Sequence, residues 1–330
     1  MNTSKTTISV SVGFTAYNCK DTLVNAVQSA INQTYPIEEI IIVDDYSTDG
    51  TQEKIFELAA SFKNIKFHIN KTNEGVASSR NTLIQLAKGD FLAFFDDDDI
   101  SNSKRVERQL EQILAVERKH ETKSIICHSA RLVKHISGKV IYQPCIGQTS
   151  IEKTPFGKSV SKAIFFGSNL HELKGSCPTC CQMARTENYR KLSGFDEKMR
   201  RSEDTEFCIR AAEAGYFFTG SSKPLVQQKM NLAKDKNISI ELKNWQYLIR
   251  KHKKIIQKYG DYEFLDKWLN FKFKWFEANY KDSFFILFLL LFSHPIQCSK
   301  KLVLAIPNIR INAALSNHYK FEKIQKSNND

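Results

Sequence analysis

The sequence predicts an α/β fold, in which an open, mostly parallel sheet carries helices on both faces and is followed by a helical extension. Short apolar segments alternate four times with amphipathic ones in the first hundred residues, which is typical of strand–helix repeats. The polar connections between them are short, and right-handed crossovers then place helices on both faces of the sheet. The last third of the chain changes to helical, aromatic and Lys-rich segments.

Four strands and the helices between them form the first part of the predicted sheet. Alternating apolar residues predict strands at 8–14 and 65–69, whereas Ile40–Val43 and Phe91–Phe95 are continuous apolar runs typical of strands buried on both faces. Helical spacing predicts helices between these strands, at residues 21–32, 52–62 and 76–87. Ligands bind at the carboxyl ends of the strands in such sheets, so we expect the segments that follow the strands to converge at one edge.

From residue 103 onwards the pattern is less regular. It predicts, in order, a charged helix at 104–119, a strand at 124–133, a weak hairpin near 139–142, a loop-rich stretch at 144–176, and helices at 186–193 and 203–214. Gly215 ends the last helix before Tyr216-Phe217-Phe218. Beyond residue 240 the sequence is helical. We therefore predict an α/β domain at 1–222 and a basic, aromatic, helical extension at 223–330.

The net charge of +12 is concentrated in this extension. Residues 223–330 carry 20 Lys and Arg against 9 Asp and Glu, whereas residues 1–222 have a balance of only +1. A uniformly basic, nucleic-acid-binding body is therefore disfavoured, and we expect no nucleic-acid partner.

The cysteines and the apolar runs indicate where the protein works. Eight cysteines in a chain this long do not make a disulfide framework, and the cluster Cys177-Pro-Thr-Cys180-Cys181 lacks the second ligand pair of a structural zinc site. Reduced thiols and a cytosolic setting are the interpretation. The first residues have no apolar signal-peptide core, and the longest apolar run, Phe284–Phe292, is about half of the roughly 20 residues that span a bilayer.

Four consecutive aspartates, Asp96–Asp99, directly follow the predicted strand Phe91–Phe95. Clustered carboxylates repel one another unless a cation or hydrogen-bond donors neutralise them. Oxygen-rich clusters suit Mg²⁺ or Mn²⁺, which also hold a diphosphate. The alternative is an acidic turn that caps the next helix, but the position behind a buried strand favours a metal site. The same cluster could serve a phosphatase or a kinase.

Three further motifs lie at strand or helix ends. Asp44-Asp45 follows Ile40–Val43, where a carboxylate can accept a hydrogen bond from the N–H of a base. In NEGVASSRN at 73–81, a Gly before small residues lets the backbone approach a ligand, while position alone would turn Arg80 to solvent. The pair Glu203-Asp204 begins a predicted helix, where the dipole favours acids in any protein; the functional interpretation is a general base at the sheet edge.

Together these motifs resemble the family 2 inverting glycosyltransferases. The residues that carry the resemblance occur in the family's order over about residues 8–220: Thr15-Ala16-Tyr17-Asn18, VDDYSTDGT at 43–51, NEGVASSRN at 73–81, GDFLAFFDDDDI at 89–100, LSGFDE at 192–197 and SEDTEF at 202–207. Each motif is modest alone, and six in order are specific. The resemblance implies a GT-A fold and transfer of a hexosyl or N-acetylhexosaminyl group from a nucleotide-sugar.

The resemblance also implies residues that bind the nucleotide. Thr15 and Tyr17 are similar to the first-strand residues that touch the nucleoside, and Asp45 is similar to the carboxylate that reads the uracil ring. Arg80 matches a basic residue near the base and the diphosphate, against the solvent orientation that its position suggests.

The same resemblance implies a metal and a base. The stretch Asp96–Asp98 looks like the DXD element, with Asp98 as the principal ligand of a divalent cation, Mn²⁺ or Mg²⁺. Asp96, a second candidate metal ligand, or Asp97 would bond the ribose or a metal-bound water. Asp204 looks like the catalytic base, with Glu203 beside it.

Two segments depart from the family pattern. Some relatives carry a His after the base helix as a further metal ligand, and the stretch at 227–237 has none. Either Lys229 contacts the diphosphate instead, or water completes the metal shell. The segment Gly175–Cys181 differs from the usual acceptor-side sequence, which leaves the acceptor open.

The extension predicts an anionic membrane surface as a partner. Residues 262–280 interleave aromatics with lysines, and the apolar run Phe284–Phe292 and Lys300-Lys301 follow. Basic amphipathic helices of this composition suit anionic lipid. Oligomerisation through the same surface is the alternative there. The apolar stripe at 242–259 is equally compatible with packing on the α/β domain.

The predicted function is inverting transfer of a sugar, UDP-linked, to a hydroxyl of a glycan or lipid-linked acceptor in bacterial surface polysaccharide synthesis. The enzyme would be peripheral on the inner face of the cytoplasmic membrane. A polyprenyl-phosphate sugar synthase is an alternative. Two others are a nucleic-acid-binding protein, which the neutral first two thirds disfavour, and a non-catalytic scaffold, which the intact acidic motifs disfavour. The sugar, the linkage, the preferred metal and the oligomeric state stay open.

Overall fold

The computed structural model describes residues 8–135, 138–148, 150–229 and 238–306. Strand and helix alternate through the first part of the chain, as the sequence predicts. The elements are β1 (Val10–Ala16), α1 (Leu23–Ile31), β2 (Glu39–Asp44), α2 (Thr51–Ser61), β3 (Ile65–Ile69), α3 (Val76–Leu86) and β4 (Phe91–Asp96). Strands β3, β2, β1 and β4 lie side by side in that order and are all parallel.

The second part of the chain completes a mixed sheet. Its elements are β5 (Ile100–Ser101), α4 (Arg105–His120), β6 (Ile125–Lys134), β7 (Val140–Gln143), α5 (Lys158–Phe166), β8 (Met183–Arg185), α6 (Thr186–Lys191), α7 (Glu203–Glu213) and β9 (Phe217–Lys229). Strand β8 pairs antiparallel with both β4 and β6, and β9 runs parallel to β6. The predicted α/β class is confirmed, and β8 is the strand that turns a parallel sheet into a mixed one.

Helices cover both faces of the sheet. On one face Val12 and Phe14 pack with Leu23 and Val27 of α1 and Ile113 of α4. On the other face, side chains of β2 and β4 pack with helices α3, α6 and α7, through the buried residues Ile41, Val43, Leu83, Phe94, Tyr189 and Phe207. This two-faced burial is what continuous apolar strands require.

Three sequence expectations for this part were incomplete. The predicted loop-rich stretch at 144–176 contains helix α5, which buries Val160 and Phe165. Strand β8 was missed because three residues are too short to show a period. Strand β9, Phe217–Lys229, was not predicted, because its pairing with β6 and not its own pattern defines it.

The extension consists of α8 (Ile238–Lys251), α9 (Lys253–Tyr259), α10 (Tyr262–Phe276), α11 (Tyr280–Ser293) and α12 (Pro295–Ala305). Leu248, Ile249 and Ile256 are buried in one cluster with Ile209 of α7, so the stripe at 242–259 packs on the α/β domain. The proposed domain boundary at residue 222 stays a prediction; it lies inside β9.

Helices α11 and α12 are the most exposed apolar elements of the described chain ranges. α11 buries Leu290, which packs with Phe264 of α10 and Cys298 of α12. Ile286 and Leu287 are partly buried against the same cluster, whereas Phe284, Phe285, Phe288 and Phe292 are exposed. In the chain ranges given above, no helix combines the length and the hydropathy that crossing a membrane requires. All eight cysteines are free and buried.

Candidate active site

The carboxyl ends of β1, β2 and β4 meet at one edge of the sheet. The register of β1 sets Ala16 beside Asp44 and Thr15 beside Asp96. Backbone pairing therefore brings the first-strand motif and both acidic motifs together, as expected from the parallel arrangement. Thr15 is half-buried at this edge, and Tyr17 is exposed.

Asp45 fixes the start of α3. Its Oδ1 accepts hydrogen bonds from Asn70 Nδ2 (2.8 Å) and the Glu74 N–H (2.9 Å), and its Oδ2 accepts one from the Gly75 N–H (2.8 Å). Gly75 has φ +96°, and a Cβ there would lie 2.5 Å from Arg200 Nη1, so this turn requires glycine. Three of the four lone pairs of the Asp45 carboxylate are thus used within the chain, and one acceptor position, on Oδ2, is left for a ligand.

Asp97 ties the aspartate turn to the first-strand motif. Its Oδ2 accepts a hydrogen bond from the Tyr17 N–H at 3.2 Å. Burial and the neighbouring Asp98 charge raise the pKa of Asp97 to about 7. The loop after β1 is therefore held against the acidic cluster through its backbone.

Arg80 is buried between carboxylates from distant parts of the chain. Its Nη1 donates to Glu203 Oε1, its Nη2 lies 3.6 Å from Asp96 Oδ1, and its guanidinium lies over the Phe195 ring at 5.6 Å. Burial lowers the pKa of Arg80, but the charges of Glu203, Asp96 and Asp204 outweigh it and raise that pKa above its usual value. Arg80 is therefore a permanent cation that joins α3, β4 and α7; the orientation to solvent suggested by its position does not occur.

Asp204 lies at the first turn of α7, beside this ion pair. It is half-buried, and its Oδ1 accepts from the Thr205 N–H at 2.6 Å and from Thr205 Oγ1 at 3.2 Å. Glu203 points inward and is 7% exposed, and burial raises its pKa while Arg80 opposes that shift. The adjacent acids thus have different environments: Glu203 is an ion-pair partner, and Asp204 is the more accessible carboxylate.

The aspartate cluster at the end of β4 includes a thiol. Ligand atoms of Asp96, Asp99 and Cys180 all lie within 4.8 Å of one another. Asp99 Oδ2 accepts from Gln228 Nε2 at 3.3 Å, whereas Asp99 Oδ1 is buried and makes no hydrogen bond within the described ranges. Burial and the charges of Asp96 and Asp98 raise the pKa of Asp99. A carboxylate-rich cluster with an unsatisfied oxygen fits a divalent cation.

The structure brings together residues that the sequence predicts for the site: Thr15, Tyr17, Arg80, Asp96, Asp97, Asp98, Glu203 and Asp204. Asp45 lies next to the end of β1, where its N–H donates to the Ala16 carbonyl at 2.8 Å. Their individual roles stay predictions. Asp99 belongs to the predicted aspartate cluster, whereas no site role is predicted from the sequence for Cys180 or Gln228, which lie beside it. The signal for Cys180 was its local Cys motif, but only the fold shows that this motif lies at the end of β4.

The family model described as "Glycosyl transferase family 2" matches residues 11–129, which contain β1 to β4 and the aspartate cluster. The chain is 31% identical over 212 residues to "Putative glycosyltransferase EpsE" of Bacillus subtilis (strain 168), spanning 63% of this chain and 68% of that protein. The chain belongs to glycosyl transferase family 2.

A second relative matches over a shorter stretch, and a solved structure shares the fold. The family 2 glycosyltransferase is 40% identical over 103 residues to "UDP-Glc:alpha-D-GlcNAc-diphosphoundecaprenol beta-1,3-glucosyltransferase WfaP" of Escherichia coli, covering 31% of this chain and only 39% of WfaP. It also resembles Staphylococcus aureus TarS 1-349 in complex with UDP-GlcNAc, with a TM-score of 0.57, 16% identity, and 98% and 93% of the two chains covered. The GT-A fold predicted for this family 2 glycosyltransferase is confirmed.

Proposed function

We propose that this glycosyltransferase is an inverting enzyme that moves a sugar from a UDP-sugar to a hydroxyl of a lipid-linked glycan. The observation that carries the proposal is the Arg80 ion pair, which sets the first turn of α7, and with it Asp204, beside the acidic end of β4. A base and a diphosphate site then lie on the same edge of the sheet, as in-line displacement requires.

Asp204 acts as the general base in this mechanism. The acceptor hydroxyl must lose its proton as its oxygen attacks the anomeric carbon, and a half-buried carboxylate at a helix start is placed to accept it. Arg80 holds Glu203 and so fixes the turn that carries Asp204. Inversion follows because a single displacement replaces the nucleoside diphosphate from the opposite face.

The donor diphosphate would bind at the cluster of Asp96, Asp98 and Asp99. A divalent cation held there would stabilise the negative charge that develops on the leaving phosphate. Asp45 and Tyr17 would bind the nucleoside, with Asp45 Oδ2, which accepts one hydrogen bond from the Gly75 N–H, as the contact for a base N–H. The hydrogen bond from the Tyr17 N–H to Asp97, which holds Tyr17 at the acidic cluster, supports this assignment.

The relatives' names support the choice of donor and acceptor. WfaP is named for a UDP-linked glucose donor and a diphosphoundecaprenol-linked acceptor, and TarS has been solved with UDP-GlcNAc. A transferase acting on a lipid-linked glycan would work at the inner face of the cytoplasmic membrane, in surface polysaccharide assembly.

Calorimetric titration with UDP tests the donor site. We expect UDP to bind in the presence of Mn²⁺ and to lose at least about tenfold in affinity when a chelator removes the metal, because the diphosphate then faces uncompensated aspartates. Asp98→Asn should weaken Mn²⁺-dependent binding in the same way. A screen of nucleotide-sugars for metal-dependent hydrolysis would then identify the sugar. If UDP binds neither in the presence of Mn²⁺ nor in the presence of Mg²⁺, the proposal is wrong.

We further propose that α11 and α12 dock on an anionic membrane. Their outward face, here called the apolar patch, is formed by Phe284, Phe285, Phe288, Phe292 and Ile296, which are between 56% and 74% exposed. Lys281 at the start of α11 and Lys300 on α12 are also exposed. An apolar surface flanked by cations suits the surface of an anionic membrane, whose charge is opposite. A second copy of the chain would present the same positive charges and fit less well.

Flotation of the full chain with liposomes tests the docking surface. We expect co-flotation with phosphatidylglycerol vesicles and a loss of at least about tenfold in partitioning for Phe285→Ser/Phe292→Ser, because each buried Phe contributes about 1.5–3 kcal/mol. Leu170→Ser, at a 57% exposed position outside the extension, is the matched control and should float like the parent. Unchanged flotation of the double variant, together with a fall in its solution mass, would instead assign the patch to self-association.

A further inference from the structure

We infer that the divalent cation at the end of β4 is bound through sulfur as well as oxygen, with Cys180 as a ligand beside Asp96 and Asp99. The inference rests on the proposal that this sheet edge holds a cation for the donor diphosphate. It adds a soft ligand to a set of carboxylates, and it therefore predicts a preference for thiophilic metals over Mg²⁺.

Backbone hydrogen bonds hold the thiol at the cluster. The helical turn Thr179–Cys181 lies directly before β8, and the Phe94 N–H of β4 donates to the Gln182 carbonyl at 3.0 Å. Cys180 is 3% exposed, and its sulfur lies within 4.8 Å of the ligand oxygens of both Asp96 and Asp99. Two carboxylates of the turn that follows β4 and one thiol of the turn Thr179–Cys181 thus lie around a common point.

A second observation indicates that this point takes a ligand. Asp99 is 3% exposed, and its Oδ1 is buried without a hydrogen-bond partner in the described ranges. Its other oxygen accepts from Gln228 Nε2, which also lies within donor distance of Cys180 Sγ at 3.8 Å. A buried carboxylate oxygen with no partner is costly, and a cation shared with Cys180 would satisfy it.

The ligand set determines which cations fit. Mg²⁺ takes oxygen ligands almost exclusively, whereas thiolate sulfur binds Zn²⁺ and similar transition metals. Binding breaks the S–H bond of Cys180, forms a metal–sulfur bond and releases one proton to solvent, with no change of oxidation state. The site should therefore bind Co²⁺ and Zn²⁺ more tightly than Mg²⁺.

Cobalt substitution tests the inference, because thiolate coordination to Co²⁺ gives a near-ultraviolet charge-transfer band that oxygen ligands do not give. The full chain, kept reduced with a non-thiol reductant, is titrated with CoCl₂ alone and again with UDP. We expect the band to appear in the parent and to be lost in Cys180→Ser, with at least about tenfold weaker Co²⁺ binding.

Two cysteine variants are the matched controls. Cys181→Ser removes the neighbouring thiol, whose sulfur lies 3.7 Å from that of Cys180, and Cys298→Ser removes a buried thiol of the extension. Both should keep the band. Loss of the band in Cys181→Ser but not in Cys180→Ser would overturn the assignment. So would Co²⁺-dependent UDP binding without any band, an outcome that leaves the proposed transferase function intact.

Discussion

Asp204→Asn is expected to lower the turnover of sugar transfer by about 10²–10⁴-fold, because the variant keeps the shape of the side chain and loses the base. Asp204 is half-buried at the first turn of α7, and its Oδ1 accepts from Thr205. Donor binding should change little, since the diphosphate cluster at β4 is untouched. The rate of UDP release during transfer and the calorimetric affinity for UDP measure the two effects separately.

The same helix supplies the control for this substitution. Glu213→Gln changes an acid at the opposite end of α7, where it contacts Ser161 and Tyr259, and should leave turnover near that of the parent. Turnover like that of the parent in Asp204→Asn would show that another group takes the acceptor proton. A parallel loss of UDP binding and turnover would show that Asp204 supports the donor site.

Arg80→Met is expected to reduce the free energy of unfolding by about 3–5 kcal/mol, the range measured when one partner of a buried ion pair is removed. The change leaves Glu203 uncompensated in a buried position and removes the cation beside Asp96. Transfer should fall as well, because the turn that carries Asp204 loses its anchor. Urea unfolding followed by circular dichroism measures the stability.

Two further variants identify the ion pair as the cause. The double variant Arg80→Met/Glu203→Gln should be more stable than Arg80→Met, since it no longer buries an unpaired carboxylate. Lys54→Met, which removes an exposed pair with Glu57, should cost no more than about 1 kcal/mol. If Arg80→Met and the double variant unfold at the same urea concentration, the Arg80–Glu203 contact is not what stabilises this edge.

Much of the site could be predicted because it depends on strand order. The continuous apolar runs of β2 and β4 identify buried parallel strands, and parallel strands necessarily deliver their following residues to one edge. This is why Asp44 and Asp96 could be expected beside the motif of β1. The local sequence pattern was sufficient to predict these contacts, because each of them follows from the pairing of neighbouring strands.

The remainder depends on contacts between distant segments, which no local pattern encodes. The position of Arg80 in the sequence suggests, by itself, a side chain in solvent. In the structure, the ion pair with Glu203, 123 residues away, holds Arg80 in the interior. Cys180 lies at the acidic cluster only because the short strand β8 inserts between β4 and β6. The sequence suggests that the Asp45 carboxylate is free to bind a ligand, yet it already accepts hydrogen bonds from the Glu74 and Gly75 N–H groups.

Glu206 connects the helix that carries Asp204 to the extension. Its Oε1 lies 2.7 Å from Lys251 Nζ and 3.1 Å from His252 Nε2, and Arg210 contacts the same carboxylate from within α7. Burial alone would raise the pKa of Glu206, but the hydrogen bond from His252 and the charges of Arg210 and Lys251 lower it to about 2.

This arrangement limits which segments of the chain could be replaced by those of another transferase. A chimera joined at residue 222, with the extension of another transferase, would set foreign side chains opposite Glu206. The buried carboxylate would keep Arg210 of its own helix and lose Lys251 and His252. The smallest segment that recombination could move intact therefore runs from α7 through the start of α9. A specificity for a new membrane or acceptor that the extension carries would then be acquired together with α7, the helix that carries Asp204.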